Sequence, residues 1–262
     1  MSLPELIAVT GGVVVLYMVA IWLLSIPLRN ASIVDIFWGL GFVVVAFLSL
    51  ALADGFAGRR ILITALVTIW GLRLSLHILW RNFGKREDYR YRAWREAAGP
   101  AFWWTSLFRV FLLQGVILWV VSMPILAAGY YGSTGHFTPI DVAGVLVWGV
   151  GFTFEAVGDI QLARFKANPG NKGKVMRTGL WRYTRHPNYF GDAAVWWGMF
   201  LIAAATVNGL WTVFSPALMT FLLVRVSGVA LLEKKQVETR PEYRDYIEST
   251  SAFLPWFPRN GA

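Results

Sequence analysis

The chain has 262 residues, 56% hydrophobic and 16% aromatic, and its mean hydropathy of +0.53 lies well above that of an ordinary soluble domain of this size. It has no cysteine, which excludes disulfides, thiolate catalysis and cysteine-based metal sites; its three histidines, His77, His136 and His186, stand at no paired-ligand spacing, so no metal is expected. The formal net charge of +9 is the kind of balance that attracts nucleic acid, but the placement of the charges argues for another cause.

Apolar runs of about 20 residues, the length that crosses a hydrocarbon core, occur seven times: Leu6–Ile26, Ile33–Ala53, Ile61–Trp80, Thr105–Ala128, Ile140–Ala163, Phe190–Val207 and Leu210–Leu232. The expectation is an all-α integral membrane protein with seven transmembrane helices. The first run reads as a span and not a signal peptide, because Glu5 stands where a basic region belongs and the run is too long. Outside the spans, Lys and Arg gather after the first, third, fifth and seventh: Arg29, six between Arg81 and Arg95, seven between Arg164 and Arg185, and five between Lys234 and Arg259. The other side holds Arg59 and Arg60. By the positive-inside rule the N-terminus is outside and the C-terminus cytoplasmic, in the plasma membrane if the chain is prokaryotic. The charge is thus a topology signal, and the expected partners are membrane lipids, with no nucleic acid.

Between Arg81 and Trp104 the chain is amphipathic and rich in aromatics, suited to an interfacial helix or to a solvated basic loop anchored by Trp94, Trp103 and Trp104. The segment from Arg164 to Asn188 is punctuated as turns by Asn168–Pro169, Gly170, Asn171 and Gly173, and its basic residues alternate with Trp181 and Tyr183. No phosphate-binding glycine fingerprint follows a strand-like run, so any nucleotide must be held by the helices themselves.

Four acids fall inside or at the ends of spans, Asp35, Glu155, Asp159 and Asp192, and a carboxylate at bilayer depth costs roughly 2.5–3.5 kcal/mol on insertion scales. Glu155 and Asp159, at i and i+4, share a helical face. They form either a satisfied intrahelical pair capped by Arg164 or one wall of a polar cavity. Pro187 suits the first turn of the sixth span, whose open N–H groups, with Arg182, Arg185 and His186 upstream, make an anion site. Asp192 sits about 6 Å deeper along that helix at 1.5 Å per residue. Arg225, mid-span, is expected to pair with an acid or an anionic ligand.

The run RYTRHPNYFGD, ending at Asp192, resembles the C-terminal signature of membrane steroid 5α-reductases and sterol reductases, and the chain is similar to a bacterial-type member of that family. The resemblance is carried by Asn188, Tyr189, Phe190, Gly191 and Asp192, covers the last three spans and the SAFLPWFP tail, and reaches the first four only in topology. It implies NADPH as cofactor. Its nucleotide contacts map onto Asp159, Asn188 and Arg225 and, more loosely, Glu155, Lys166, Arg182 and His186. The same segments supply Arg164, Asn171, Lys174, Trp181, Tyr183, Tyr189 and Asp192 as further cofactor candidates. It also implies a single membrane domain in which helices within 1–130 take the substrate and 139–262 the nucleotide. Where the family has a Gln–Glu pair that binds the steroid 3-oxo group, this chain has Val34 and Asp35. Asp35, protonated by burial beneath Phe37 and Trp38, is the expected donor to the substrate oxygen, and Asp192 the residue that holds the nicotinamide amide or relays a proton.

The activity so implied is reduction of the Δ4 double bond of a 3-oxo steroid or related apolar enone by a monomer. Two alternatives stand beside it. RHPNY followed by glycine also resembles the S-adenosylmethionine-dependent isoprenylcysteine carboxyl methyltransferases, although seven cations between 164 and 185 suit a polyanionic cofactor better than a sulfonium. A sterol-binding protein without catalysis is the third, against which the intact acids speak.

Overall fold

The structure, a computed structural model, describes residues 1–132, 135–226 and 229–259. Among these the chain is helical with no strand: α1 Leu3–Leu28, α2 Ile33–Leu52, α3 Ala57–Asn82, α4 Tyr89–Ala98, α5 Phe102–Ser106, α6 Leu113–Val121, α7 Met123–Tyr130, α8 Pro139–Ala167, α9 Pro187–Ala204, α10 Phe214–Phe221, α11 Val229–Thr239 and α12 Tyr243–Ser249. Six stretches are long and apolar enough to cross a membrane: Leu3–Leu28, Ile33–Leu52, Ala57–Asn82, Tyr89–Tyr130, Pro139–Ala167 and Val207–Val226. The span expected at Phe190–Val207 does form a helix, α9, but it is not among the six, because Pro187, Asn188 and Asp192 fill its first turns with polar groups. Residues 227–228 of the last expected span lie outside the described residues.

Two compact units divide the chain, Met1–Thr138 with Ala203–Thr212, and Pro139–Ile202 with Val213–Ala262. In the first, α1 starts on a capping box in which the Ser2 and Glu5 side chains each accept from the other's backbone N–H. Helices α2 and α3 touch through backbone: a Cβ on Gly39 would lie 2.4 Å from the Gly71 carbonyl oxygen, and one on Gly71 would lie 2.6 Å from that of Gly39. The fourth expected span is a broken rod. A π-helical turn at Leu107–Leu112 separates α5 from α6, and Pro124, with no N–H to give, starts α7 after Ser122.

The segment after α3 is helical, as one of its two sequence readings had it. Asp88 caps α4 by accepting the Arg90 N–H at 2.9 Å. Glu87 accepts the Ala31 N–H at 2.7 Å and a two-pronged Arg95 at 2.8 and 2.9 Å, which folds the segment back onto the α1–α2 turn.

In the second unit α8 and α9 pack through small residues. A Cβ on Gly151 would lie 2.6 Å from the Gly191 carbonyl oxygen, one on Gly191 2.4 Å from the Glu155 nitrogen, and one on Gly198 2.7 Å from the Gly144 carbonyl oxygen. Such a seam lets two apolar helices gain close dispersion contact where lipid provides no hydrophobic drive. It also fixes the register of the polar residues beside it.

Candidate functional site

In the first unit the first turn of α2 and the start of α4 bring together Asp35, Arg90 and Tyr91. The Tyr91 hydroxyl donates to Asp35 Oδ1 at 2.6 Å and Arg90 Nη2 to Oδ2 at 3.2 Å. Gln114 of α6 donates its amide to the Tyr91 oxygen at 3.1 Å, and Arg90 also donates to Asp88 at 3.0 Å. Asp35 is therefore an acceptor here, not the donor expected from the sequence. The donors of the cluster are Tyr91, Gln114 and Arg90. Burial alone would raise the Asp88 carboxyl, but the Arg90 N–H and guanidinium outweigh it and hold it below the usual carboxylate range.

In the second unit the glycine seam sets Glu155 and Asp159 of α8 beside the start of α9. Glu155 is 3% and Asp159 8% exposed, and Asn188 donates its amide to Asp159 Oδ1 at 3.2 Å. The other end of that amide, Asn188 Oδ1, is buried and accepts no hydrogen bond among the described residues. Asp192, one turn on from Asn188, lies on the same face of α9. Of the two sequence readings of Glu155 and Asp159, an interhelical polar cluster describes the geometry better than a pair capped by Arg164, which is exposed.

The basic segment between α8 and α9 winds around two open clefts that meet at Thr178 and Gly179. One, of about 420 Å³, is lined by Gln161, Arg164, Asn168 and Asn171; the other, of about 410 Å³, by Arg177, Arg182, Ser249 and Thr250. Gly179 has φ +64°, and a Cβ there would sit 2.5 Å from the Gln161 amide nitrogen. That amide in turn accepts the Leu180 N–H at 3.0 Å, so a residue other than glycine would disturb the floor of both clefts. Asn171 donates to the Phe165 carbonyl at 3.0 Å. Lys166, Lys174, Arg182 and Tyr183 are exposed.

Three of the expected cofactor residues have structural partners. Trp181 is buried and donates its indole N–H to the Gly158 carbonyl at 3.1 Å. His186 is 4% exposed, lies 3.1 Å from Glu233 Oε1 and stacks on Tyr189 with ring centroids 5.5 Å apart. Beside it Arg185 grips both Glu233 oxygens at 2.7 and 3.1 Å and donates to the Ile247 and Thr250 carbonyls. These bonds clamp α11, α12 and the tail onto the start of α9. Burial alone would raise the Glu233 carboxyl, but His186 and Arg185 hold it below the ordinary glutamate range. Burial and the negative charge of Glu233 push Tyr243 up to about 12. Arg225 stands on a π-helical turn at Leu222–Val226, exposed and with no ion pair among the described residues, so the expected acid partner is not found.

The sequence reading missed Tyr91, Gln114, Arg177, Gln161 and Glu233. Gln114 was within its reach, since an amide inside an apolar span needs a partner for the same reason an acid does. Tyr91 carried no such mark, lying among other aromatics in a basic run.

The chain is 27% identical to an uncharacterized protein of Schizosaccharomyces pombe over 90% of its own length and 75% of that protein's. It is 30% identical to a probable O-methyltransferase, ustE, of Ustilaginoidea virens over 94 residues, which is 36% of this chain and 33% of that one. No solved structure matches. The family described as a protein of unknown function, DUF1295, matches residues 21–250, and the chain belongs to it.

Proposed function

We propose that the protein is a membrane-embedded, NADPH-dependent reductase of an activated double bond in an apolar substrate, a 3-oxo-Δ4 steroid or related enone. The observation that supports this most is the pair of arginine-lined clefts meeting at Gly179, in the same unit as the Asp159–Asn188 pair. A cofactor with three phosphates needs cations of this kind, and Arg164, Arg177 and Arg182 are exposed to supply them. Its amide and ribose hydroxyls need buried acceptors, a role suited to Asn188 Oδ1 and Asp159. Asp192 serves the same end of the cofactor, and Arg225 is an additional cation for its phosphates. When bound, NADPH supplies a hydride.

The first unit offers what reduction of an enone needs from the protein, donors for an oxygen that gains negative charge. Tyr91 and Gln114 fill this role. Asp35 orients the Tyr91 hydroxyl, and Arg90 holds Asp35.

A second reading is methyl transfer from S-adenosylmethionine. It is favoured by the similarity to the probable O-methyltransferase and by the three carboxylates Glu155, Asp159 and Asp192, which suit a sulfonium better than they suit a phosphate. Mass spectrometry of the small molecule that co-purifies in detergent separates the two. NADP(H), together with conversion of progesterone to its 5α-dihydro product, is the expected result. Co-purified S-adenosylmethionine with no steroid turnover would sink the reductase.

A further inference from the structure

We propose that the connection from the end of α3 to the start of α5 is a docking surface for anionic phospholipid headgroups. Its arginines are sorted by side. Arg90 and Arg95 turn inward, where Asp35, Asp88 and Glu87 neutralise them. Arg86 and Arg92 are exposed and make no hydrogen bond or ion pair among the described residues. Arg81 and Lys85 are exposed next to them, with the Lys85 ammonium resting on the Arg81 carbonyl at the end of α3. Against these four cations the segment exposes one acid, Glu96.

A surplus of positive charge on a loop is by itself only a solvated face. Here large aromatics surround it. Trp80 is 66%, Phe83 81%, Trp94 52% and Trp103 57% exposed, and Trp103 is anchored by stacking on Trp22, whose indole donates to its carbonyl at 2.8 Å. Exposed tryptophan and phenylalanine are unfavourable in water and favourable at the headgroup level of a bilayer. The segment directly follows a membrane-crossing helix, so the cations stand where headgroup phosphates are. Because the inward side of α4 holds Arg90 and Tyr91 on Asp35, lipid docked on its outward side braces that cluster.

The test is native mass spectrometry of the whole protein released from detergent with equal phosphatidylglycerol and phosphatidylcholine. Wild type should retain phosphatidylglycerol preferentially. R86Q/R92Q should lower that retention on the order of 10-fold, given a gain of a few-fold per cation near an anionic surface, with phosphatidylcholine unchanged. R86K/R92K should restore the preference, which excludes misfolding as the cause. Arg244→Gln, at an exposed cation of α12, should behave as wild type. Equal retention of both lipids by wild type, an unchanged preference in R86Q/R92Q, or an equal loss in Arg244→Gln overturns the proposal. So does displacement of phosphatidylglycerol by millimolar inorganic phosphate, which would mark a site for a free anion.

Discussion

At Asp35 the gap between sequence and structure is one of direction. Composition and hydropathy mark an acid in the first turn of an apolar helix as functional, but they do not say whether it gives or accepts a proton. Its two donors, the Tyr91 hydroxyl at 2.6 Å and the Arg90 guanidinium at 3.2 Å, make it an acceptor. The residue that can donate onward is then Tyr91, whose oxygen already receives the Gln114 amide. On the proposed function, Tyr91→Phe should lower steroid turnover by roughly 10²–10³-fold, the scale of removing one donor to a developing oxyanion. Asp35→Asn, which keeps a polar group beside Tyr91, should retain more activity than Asp35→Ala. Product chromatography with each purified variant checks the order. Wild-type turnover in Tyr91→Phe would remove this cluster from the chemistry.

Helices were the most legible elements, and their breaks the least. Long apolar runs gave the positions of α1, α2, α3 and α8 because crossing a bilayer demands length and hydropathy together. The π turn at Leu107–Leu112 and the failure of α9 to read as a span depend on packing, which hydropathy does not see. The α8–α9 seam makes this testable. Gly191→Ala drives a methyl to 2.4 Å from the Glu155 nitrogen, where only backbone is available to yield, and should lower stability by roughly 1–3 kcal/mol. Gly149→Ala, on α8 with nothing within 4 Å of the new methyl, should be neutral or slightly stabilising. Thermal unfolding in detergent compares them, and an equal effect would deny the seam its role.

The clamp on α11 carries a pH signature of its own. Glu233 titrates below its ordinary value of 4.5 in the folded protein, so its bonds to Arg185 and His186 stabilise fully above that value. The contribution fades as pH falls through the lowered value. Glu233→Gln should therefore lower the melting temperature most near pH 7, by the equivalent of roughly 1–3 kcal/mol for a charged hydrogen-bond partner lost from buried Arg185. The gap to wild type should close below about pH 4, within a unit of that shifted value. A gap that widens in acid would reverse the sign of the argument.

Across the whole molecule, the residues assigned to the two halves of the reaction belong to different compact units, Asp35, Tyr91 and Gln114 to one, and Asp159, Asn188 and the basic clefts to the other. The sequence divided labour in a similar way, since the reductase-like motif lies wholly after residue 139. It had no means of finding Tyr91 or Gln114, because their role rests on contacts between segments far apart in the chain. If each unit does its own part, substitution should separate the parts. Asp35→Leu and Tyr91→Phe should abolish or cripple turnover while NADPH affinity stays within about twofold of wild type, too small a change to signify lost phosphate contacts. Asp159→Ala and Arg225→Ala should weaken NADPH binding on the order of 10-fold or more, with unfolding temperatures near wild type. Raising salt should weaken NADPH binding to every variant that keeps Arg164, Arg177 and Arg182, as partly exposed phosphate contacts are screened. Fluorescence titration of NADPH against each purified variant reads affinity apart from turnover. If Asp35→Leu lost nucleotide binding in step with activity, the division of labour would be wrong. If Asp159→Ala unfolded the protein, the polar seam between α8 and α9 would be structural and the nucleotide would have to be held by the clefts alone.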